Sequence, residues 1–434
     1  MTLNNRISRK IGPNFFLWVA VSLAVLGVAF FLYRVPEQIS FPYAWNYSEP
    51  VVATGMLDIS SRPLVYKSFD SWPKTIMPYN PLYLYLSRAA LCFTDNPFAA
   101  GRFVSLVSFF GVLFLVTLLL REEGVDRLTA AFVGLAGASL PLLSKYALIM
   151  KMDMTALCFN LAGIYFFLRW SNRAGRSNTT FFLCVFSFAA AFFTKQNFIF
   201  GAVSVFCLLA AHRRWQHWRR FTVWQAILVF APLIFLNVAT YGAHFQNTVI
   251  FQTGTEFSWN LFFMSWLHYA SDMWPMYAVC LILVVRHFIK RGWGIFDLYF
   301  LLVLFSTVLL GHVGSDENYF MELTTASLLV LGKILFRARM EEGKPSADLF
   351  RAFSVLTIFC LVVPAITGFK FPETSISETQ RSLDEVSALI RPIRGKIFSE
   401  DMGMLVANGK PVIYQPYEFT QLAFNERWHE AALL

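Results

Sequence analysis

Long apolar runs separated by short polar connections fill most of the chain, and they decide what it can fold into. A helix needs about 20 residues to cross a bilayer, with about 17 as the usual lower limit. Six runs reach this length, and five more are shorter or interrupted. The long runs are 14–33, 103–120, 128–144, 177–194, 221–243 and 352–369, and the others are 154–168, 196–211, 273–285, 298–313 and 319–336. Because only helices and closed barrels satisfy their backbone inside a bilayer, these runs predict an all-α polytopic membrane protein with about 11 transmembrane helices.

Composition and charge exclude the main soluble classes. Of the 434 residues, 56% are hydrophobic and 15% are charged, whereas a soluble domain carries about 25% charged residues. The net charge of +9 comes from basic residues between the apolar runs, which does not indicate a nucleic-acid surface. The six cysteines form no C-x-x-C motif, so the sequence predicts neither a zinc site nor a disulfide framework.

Basic residues also predict the orientation of the chain in the membrane. Arg6, Arg9 and Lys10 precede the first run, which places the N-terminus in the cytoplasm. That run is too long for a cleaved signal and is expected to stay as an anchor. Alternation then makes inner loops of 121–127, 169–176, 212–220, 286–294 and 333–351, each with two or more Lys or Arg. The outer loops at 244–272 and 312–322 have none, which agrees with this orientation.

Two segments have predicted structure outside the apolar runs: a long outer loop and a C-terminal tail. The predicted transmembrane domain covers 1–369 and contains a long outer loop at 34–102, in which 49–57 and 81–93 read as surface helices. The tail at 370–434 falls on the outer side. We expect a small α/β tail, with strands at 396–399 and 411–414 and helices at 402–407 and 417–424.

Ionisable residues cluster at the outer ends of the predicted spans rather than at their centres. A transporter more often places such groups near the midplane, on broken helices, so this pattern favours an outward-facing polar cavity and an enzyme. Glu49 begins a predicted helix, where the backbone dipole stabilises its anion. It is a candidate general base, or equally a helix-start carboxylate without chemistry.

The other candidate residues also have a structural interpretation beside the functional one. Asp153 and Lys151 could be an interfacial ion pair, or could position an acceptor. Lys195 and Arg102 could extend to the interface, or bind a phosphate at the membrane surface. Tyr79 begins the second surface helix and is more simply a core or interfacial aromatic.

A polar sequence at the entrance of the last-but-one span is unusual. It reads Gly314-Ser-Asp-Glu-Asn-Tyr-Phe-Met-Glu322, and Asn318 and Glu322 are spaced to share a helical face. The structural interpretation is a solvated turn followed by a helix cap. The functional interpretation is a substrate-binding edge of the cavity.

These residues occur in an order that resembles the GT-C class of membrane glycosyltransferases. The resemblance is to the branch that is similar to dolichyl-phosphate-mannose–protein mannosyltransferases and to bacterial enzymes that use polyprenyl-phosphate sugars. It covers about residues 1–340. The ordered motifs are Tyr47-Ser-Glu49, Tyr79-Asn-Pro-Leu, Gly101-Arg102, Lys151-Met-Asp153, Thr194-Lys-Gln196 and Asn318-Tyr-Phe-Met-Glu322.

The resemblance implies inverting transfer of a sugar from a polyprenyl-phosphate carrier to a glycan, lipid or protein acceptor on the outer face. Glu49 would match the loop acid that acts as base, and Asp153 the second carboxylate. The expected substrate-binding residues are Tyr79, Arg102, Lys151, Lys195, Gln196, Asn318, Tyr319 and Glu322. No cofactor is assigned, although a divalent metal is compatible with the family.

Two other functions fit the composition. One is a secondary transporter of an anionic solute or lipid, which predicts repeated halves and discontinuous helices that the sequence does not display. The other is a non-enzymatic assembly subunit that binds partners through its loop and tail. The expected partners of the enzyme are the lipid-linked donor, the acceptor and membrane lipids, with no nucleic acid, in a bacterial inner membrane.

Overall fold

Helices account for nearly all regular structure in the computed structural model, which describes residues 13–173, 175–270, 273–340 and 376–429. The helices are α1 (Pro13–Ser40), α2 (Ser48–Asp58), α3 (Leu82–Ala90), α4 (Pro97–Glu122), α5 (Arg127–Ala136), α6 (Pro141–Ala147), α7 (Asp153–Asn172), α8 (Asn178–Thr194), α9 (Phe200–Ala211), α10 (Trp215–Ala239), α11 (Trp259–Tyr269), α12 (Trp274–Ile289), α13 (Ile295–Ser306), α14 (Phe320–Met340), α15 (Ile376–Ile390), α16 (Met402–Ala407) and α17 (Pro416–Phe424). Irregular helical turns at Ala243–Phe245, Gln246–Ile250 and Phe251–Thr253 follow α10.

The predicted apolar runs become helices wherever the structure describes them. Each of the ten runs before residue 340 is helical over most of its length, and the run at 352–369 lies outside the described residues. The two predicted surface helices correspond to α2 and α3. The all-helical expectation is therefore confirmed for the membrane region.

Length and composition single out part of this set as membrane spans. Three helices are long and apolar enough to cross a bilayer alone, over Pro97–Glu122, Trp215–Ala239 and Glu317–Arg337. Two bent pairs raise the number to as many as five in the described part of the chain, at Arg127–Ser139 with Pro141–Ala147 and at Trp259–Tyr269 with Trp274–Ile289. Shorter apolar helices in the described residues lie at Asn178–Thr194, Phe200–Ala211 and Ile295–Gly311.

Short side chains and polar caps fix how the central helices begin and pack. The side chain of Asn96 accepts hydrogen bonds from the backbone N–H groups of Phe98 and Ala99 at 2.9 and 3.3 Å, which satisfies donors at the start of α4. The central helix α7 packs against α4 and α8. A Cβ at Gly163 of α7 would lie 2.5 Å from the Phe188 ring of α8. Glycine therefore allows the close approach of these two helices.

The C-terminal tail differs from its predicted α/β structure. The predicted helices are present as α16 and α17, and α15 is an additional helix. The predicted strands are wrong: 396–399 is irregular, and 411–414 contributes one isolated bridge between Tyr414 and Lys74. The reason is that this segment pairs with the long loop instead of a tail strand. The Lys74 N–H donates to the Ile413 carbonyl at 2.8 Å.

Candidate active site

A cavity of about 350 Å³ lies between the long loop, the ends of the central helices and the tail. Its charged and polar lining includes Tyr79, Lys151, Lys195, Gln196, Asn197, Asp316, Asn318, Tyr319, Tyr417 and Glu418. Six of the ten sequence-predicted site residues are in this set: Tyr79, Lys151, Lys195, Gln196, Asn318 and Tyr319. Residues far apart in the sequence thus share one polar space.

Lys195 is held between a carboxylate and two aromatic rings. Helix α8 ends at Thr194 because the backbone of Lys195 is extended. The ammonium lies 2.6 Å from Asp153 Oδ1, and 5.9 and 5.3 Å from the ring centres of Tyr79 and Tyr319. An ammonium near two ring faces and one carboxylate stays charged and well positioned. One of its three donors is used by Asp153, so others can meet a ligand.

Asp153 links the lysine to the polar sequence before α14. Its Oδ1 also accepts a hydrogen bond from Asn318 Nδ2 at 2.7 Å, whereas its buried Oδ2 has no hydrogen-bond partner in the described part of the chain. A second space of about 20 Å³ is lined by Asp153, Lys195, Ser306 and Glu322 among others. That volume is sufficient for one water molecule.

Lys151 forms a second, looser ion pair at the same cavity. Its ammonium lies 3.4 Å from Asp316 Oδ2, which also accepts a hydrogen bond from the Tyr146 hydroxyl at 2.9 Å. Burial would raise the pKa of Asp316, but the nearby Lys151 and the hydrogen bonds to its carboxylate outweigh burial and hold the pKa below its usual value. Asp316 is consequently an anion in the neutral range.

Glu49 and Arg102 are together, but they do not line this cavity. The carboxylate oxygen Oε1 of Glu49 accepts from Arg102 Nε at 2.9 Å and from the Met150 N–H at 2.7 Å. Its Oε2 accepts from Arg102 Nη2 and from the Trp45 N–H, at 2.7 and 2.6 Å. Both side chains are fully buried. The sequence could not reveal this pairing, because its partners come from three separate segments.

This geometry bears directly on the predicted roles of the pair. Arg102 also donates to the backbone carbonyl groups of Phe41 and Tyr43, each at 2.6 Å. In this structure the Glu49 carboxylate has both oxygens saturated and no exposed atom, and the Arg102 guanidinium is occupied by Glu49 and backbone carbonyl groups, so neither group faces a cavity. Their roles as base and phosphate partner stay predictions. The pair joins α2 and α4 to the loop that follows α1.

Glu322 is likewise directed away from the cavity that contains Lys151 and Lys195. Its Oε1 accepts hydrogen bonds from Asn160 Nδ2 and from the Tyr299 hydroxyl, both at 2.8 Å. Asn318 and Glu322 therefore do not present a common binding edge to the cavity that contains the two lysines. They contribute to the smaller space beside Asp153.

Glu418 is an acidic residue of the cavity that the sequence analysis did not include among the site residues. It lies in the first turn of α17, and its Oε2 accepts a hydrogen bond from the Tyr47 hydroxyl at 2.8 Å. Burial raises the pKa of this carboxyl to about 7. The only local signal was a helix start at Gln415-Pro-Tyr-Glu418; the contact with Tyr47 spans 371 residues and leaves no local pattern.

A larger cavity of about 490 Å³ lies on the other side of Asp316. Phe30, Phe31 and Leu148 contribute apolar surface, while Arg34 and Lys145 contribute positive charge. Such a mixed lining suits an amphiphilic molecule. Asp316 lines both cavities and therefore lies between them.

Metal binding was left open by the sequence. Within the ranges that the structure describes, no three His, Cys, Asp or Glu side chains are grouped closely enough to hold a metal ion.

Comparison with known proteins relates this geometry to a family. Residues 58–255 match the family model of dolichyl-phosphate-mannose-protein mannosyltransferase. The fold is similar to that of ArnT from Cupriavidus metallidurans bound to undecaprenyl phosphate, with a TM-score of 0.65 and 12% identity over 92% of this chain and 87% of that chain. The resemblance to GT-C membrane glycosyltransferases is confirmed.

Two further solved structures share this GT-C fold. Apo ArnT from the same organism has a TM-score of 0.62 and 14% identity over 93% of this chain and 91% of that chain. The archaeal oligosaccharyltransferase AglB from Archaeoglobus fulgidus, in complex with an inhibitory peptide and a dolichol-phosphate, has a TM-score of 0.53 and 13% identity. There the match covers 92% of this chain and 65% of AglB. No curated protein sequence matches the chain. Together the family match and the fold support a glycosyltransferase.

Proposed function

We propose that this chain is an inverting glycosyltransferase that moves a sugar from a polyprenyl-phosphate carrier to an acceptor at the outer membrane surface. The observation that carries the proposal is the pair of nearly buried lysines, Lys151 and Lys195, beside one cavity in a chain with the GT-C fold. A cation is the main electrostatic requirement of this reaction, because negative charge develops on the departing phosphate.

The two lysines retain hydrogen-bonding capacity for that phosphate. Each ammonium has three donors. Asp153 accepts one from Lys195, and Asp316 lies within 3.4 Å of Lys151. Asp153 serves in this proposal as the second carboxylate, holding Lys195 toward the donor. The carrier is proposed to be a polyprenyl phosphate, since the similar ArnT structure contains undecaprenyl phosphate.

The arrangement also suggests how two substrates meet. The larger cavity has the mixed lining expected for an amphiphile, and Asp316 separates it from the cavity with the two lysines. We assign the phosphate and sugar to the lysine cavity. The acceptor is a glycan, a lipid or a protein, and the membrane is a bacterial inner membrane with the site on its outer side.

The first test removes the cation that is proposed to face the phosphate, and the abundance of the inserted variant is measured alongside. In Lys195→Met, cells should accumulate one carrier-linked sugar and lose that sugar from a surface glycan, as measured by lipid and glycan mass spectrometry. Purified Lys195→Met should bind undecaprenyl phosphate about 10–150-fold more weakly, the factor expected for a lost charge-assisted hydrogen bond.

Exposed Lys290 provides the matched control. Lys290→Met removes the same charge far from the cavity and should behave as wild type in both assays. If Lys195→Met, inserted at wild-type abundance, leaves the carrier pools, the glycans and undecaprenyl phosphate binding unchanged, the proposed function is wrong.

A further inference from the structure

The C-terminal tail is attached to the long loop by backbone and side-chain hydrogen bonds beside the cavity. The Gln415 N–H donates to the Lys74 carbonyl at 2.9 Å. The Gln415 side-chain oxygen accepts from the Ile76 N–H at 2.6 Å. Gln415 is completely buried. The residue immediately before α17 is therefore fixed relative to the loop.

An apolar cluster fixes the helix itself. Phe419 and Leu422 of α17 are buried together with Trp428, Ile76 and Phe251. The cluster joins the tail, the long loop and the irregular helical segment after α10. Because Phe419 is adjacent to Glu418, this packing determines where the Glu418 carboxylate lies.

Glu418 differs in its partner from Asp316, the other carboxylate that lines this cavity, and from Asp153 and Glu49. Asp153 and Asp316 face lysines, and Glu49 is bound by an arginine. Positive neighbours lower the affinity of a carboxylate for a proton. The side-chain partner of Glu418 is the neutral hydroxyl of Tyr47, at 2.8 Å from Oε2. Glu418 is consequently the stronger base at this cavity.

We propose that Glu418 is the general base that activates the acceptor, an inference that rests on the proposed function. The acceptor hydroxyl gives its proton to Glu418 while its oxygen forms a bond with the anomeric carbon. The bond between that carbon and the phosphate oxygen breaks, and its electron pair leaves with the carrier phosphate beside Lys195. Tyr47 holds the carboxylate in position through its hydrogen bond.

The acid–base properties of Glu418 agree with this role. Burial raises the pKa of Glu418 to about 7, close to the working pH at which a general base is most effective. The rate should therefore rise with pH through about 7 and level off above it. The other ionisable groups that line the cavity are Tyr79, Lys151, Lys195, His312, Asp316, Tyr319 and Tyr417.

The test separates chemistry from binding and from folding. The donor is the carrier-linked sugar isolated from Lys195→Met cells, and the acceptor is supplied by membranes that lack the chain. Glu418→Gln should lower the transfer rate at least about 100-fold and abolish the rise near pH 7. It should bind undecaprenyl phosphate within about twofold of wild type, because the base does not contact the phosphate.

Two further variants complete the design. Glu418→Asp keeps the carboxylate and should recover part of the lost rate. Exposed Glu426→Gln, in the turn after α17, makes the same chemical change outside the cavity and should have no effect.

Each outcome has a definite meaning. If Glu418→Gln transfers the sugar at the wild-type rate, or keeps the rise near pH 7, Glu418 is not the base. If it loses undecaprenyl phosphate binding together with turnover, its role is structural and the inference is also wrong. In either case a deficient Lys195→Met leaves the proposed function intact, whereas an unaffected Lys195→Met removes the proposed function itself.

Discussion

The fully buried pair of Glu49 in α2 and Arg102 in α4 shows how ionisable residues can serve the fold. Taking two charges out of water is costly, and it is tolerated here because every oxygen of the carboxylate accepts two hydrogen bonds. The carboxylate also bonds to the backbone of Trp45 and Met150. Removing either partner leaves the other as an uncompensated buried charge.

Arg102→Met should therefore destabilise the protein by about 3–5 kcal/mol, the usual cost of breaking a buried pair. Unfolding of the purified protein in detergent measures the change. Arg381→Met is the control, because the Arg381–Glu385 pair is exposed and should contribute nothing measurable. Equal unfolding midpoints for wild type and Arg102→Met would contradict the structural role.

The tail segment before α17 positions the helix that lines the cavity, and the side chain of Gln415 joins this segment to the long loop. Gln415→Ala leaves the buried N–H of Ile76 without its acceptor, at a cost of about 1–3 kcal/mol. Hydrogen exchange should become faster at the amides of Lys74 and Gln415, while the central helices α4 and α7 keep their protection. Unchanged exchange at Lys74 would mean that the tail is held by other contacts.

The sequence predicted individual helices better than it predicted contacts between segments that are distant in the chain. Helix α4 was predicted because its signals are local: an unbroken apolar run, preceded by Asn96 as a cap and by Pro97. The strand predicted at 411–414 failed because this segment pairs with Lys74 of the long loop, which is distant in the sequence. Glu418 was missed for the same reason, because its contact with Tyr47 spans 371 residues. Six other residues of the candidate cavity were predicted.

At the scale of the whole molecule, exposed apolar surface agrees with insertion in a bilayer. Helix α10 exposes Ile234, Phe235 and Val238, each by more than half. A soluble protein rarely exposes contiguous apolar surface of this kind. The orientation of the molecule in the membrane follows from the basic inner loops and remains a prediction.

Cys92 tests that orientation, because it is exposed in the long loop predicted to lie outside. In a Cys360→Ser background, a membrane-impermeant maleimide should label Cys92 in intact spheroplasts, and Cys92→Ser should abolish that signal. With Cys92→Ser also present, Arg213→Cys, at an exposed turn predicted to lie inside, should label only after the membrane is permeabilised. The reverse pattern would invert the topology.

The contribution of Tyr417 and Glu418 to the cavity wall has a consequence for biosynthesis. The ribosome makes the segments that carry Lys151 and Lys195 long before it reaches codon 418, so the nascent chain holds an incomplete pocket in between. Under the proposed mechanism, such a chain has no base for the acceptor while it is still threaded through the translocation machinery. Sugar transfer would begin only after the tail has crossed the membrane and docked on the loop, so that premature consumption of the carrier is avoided.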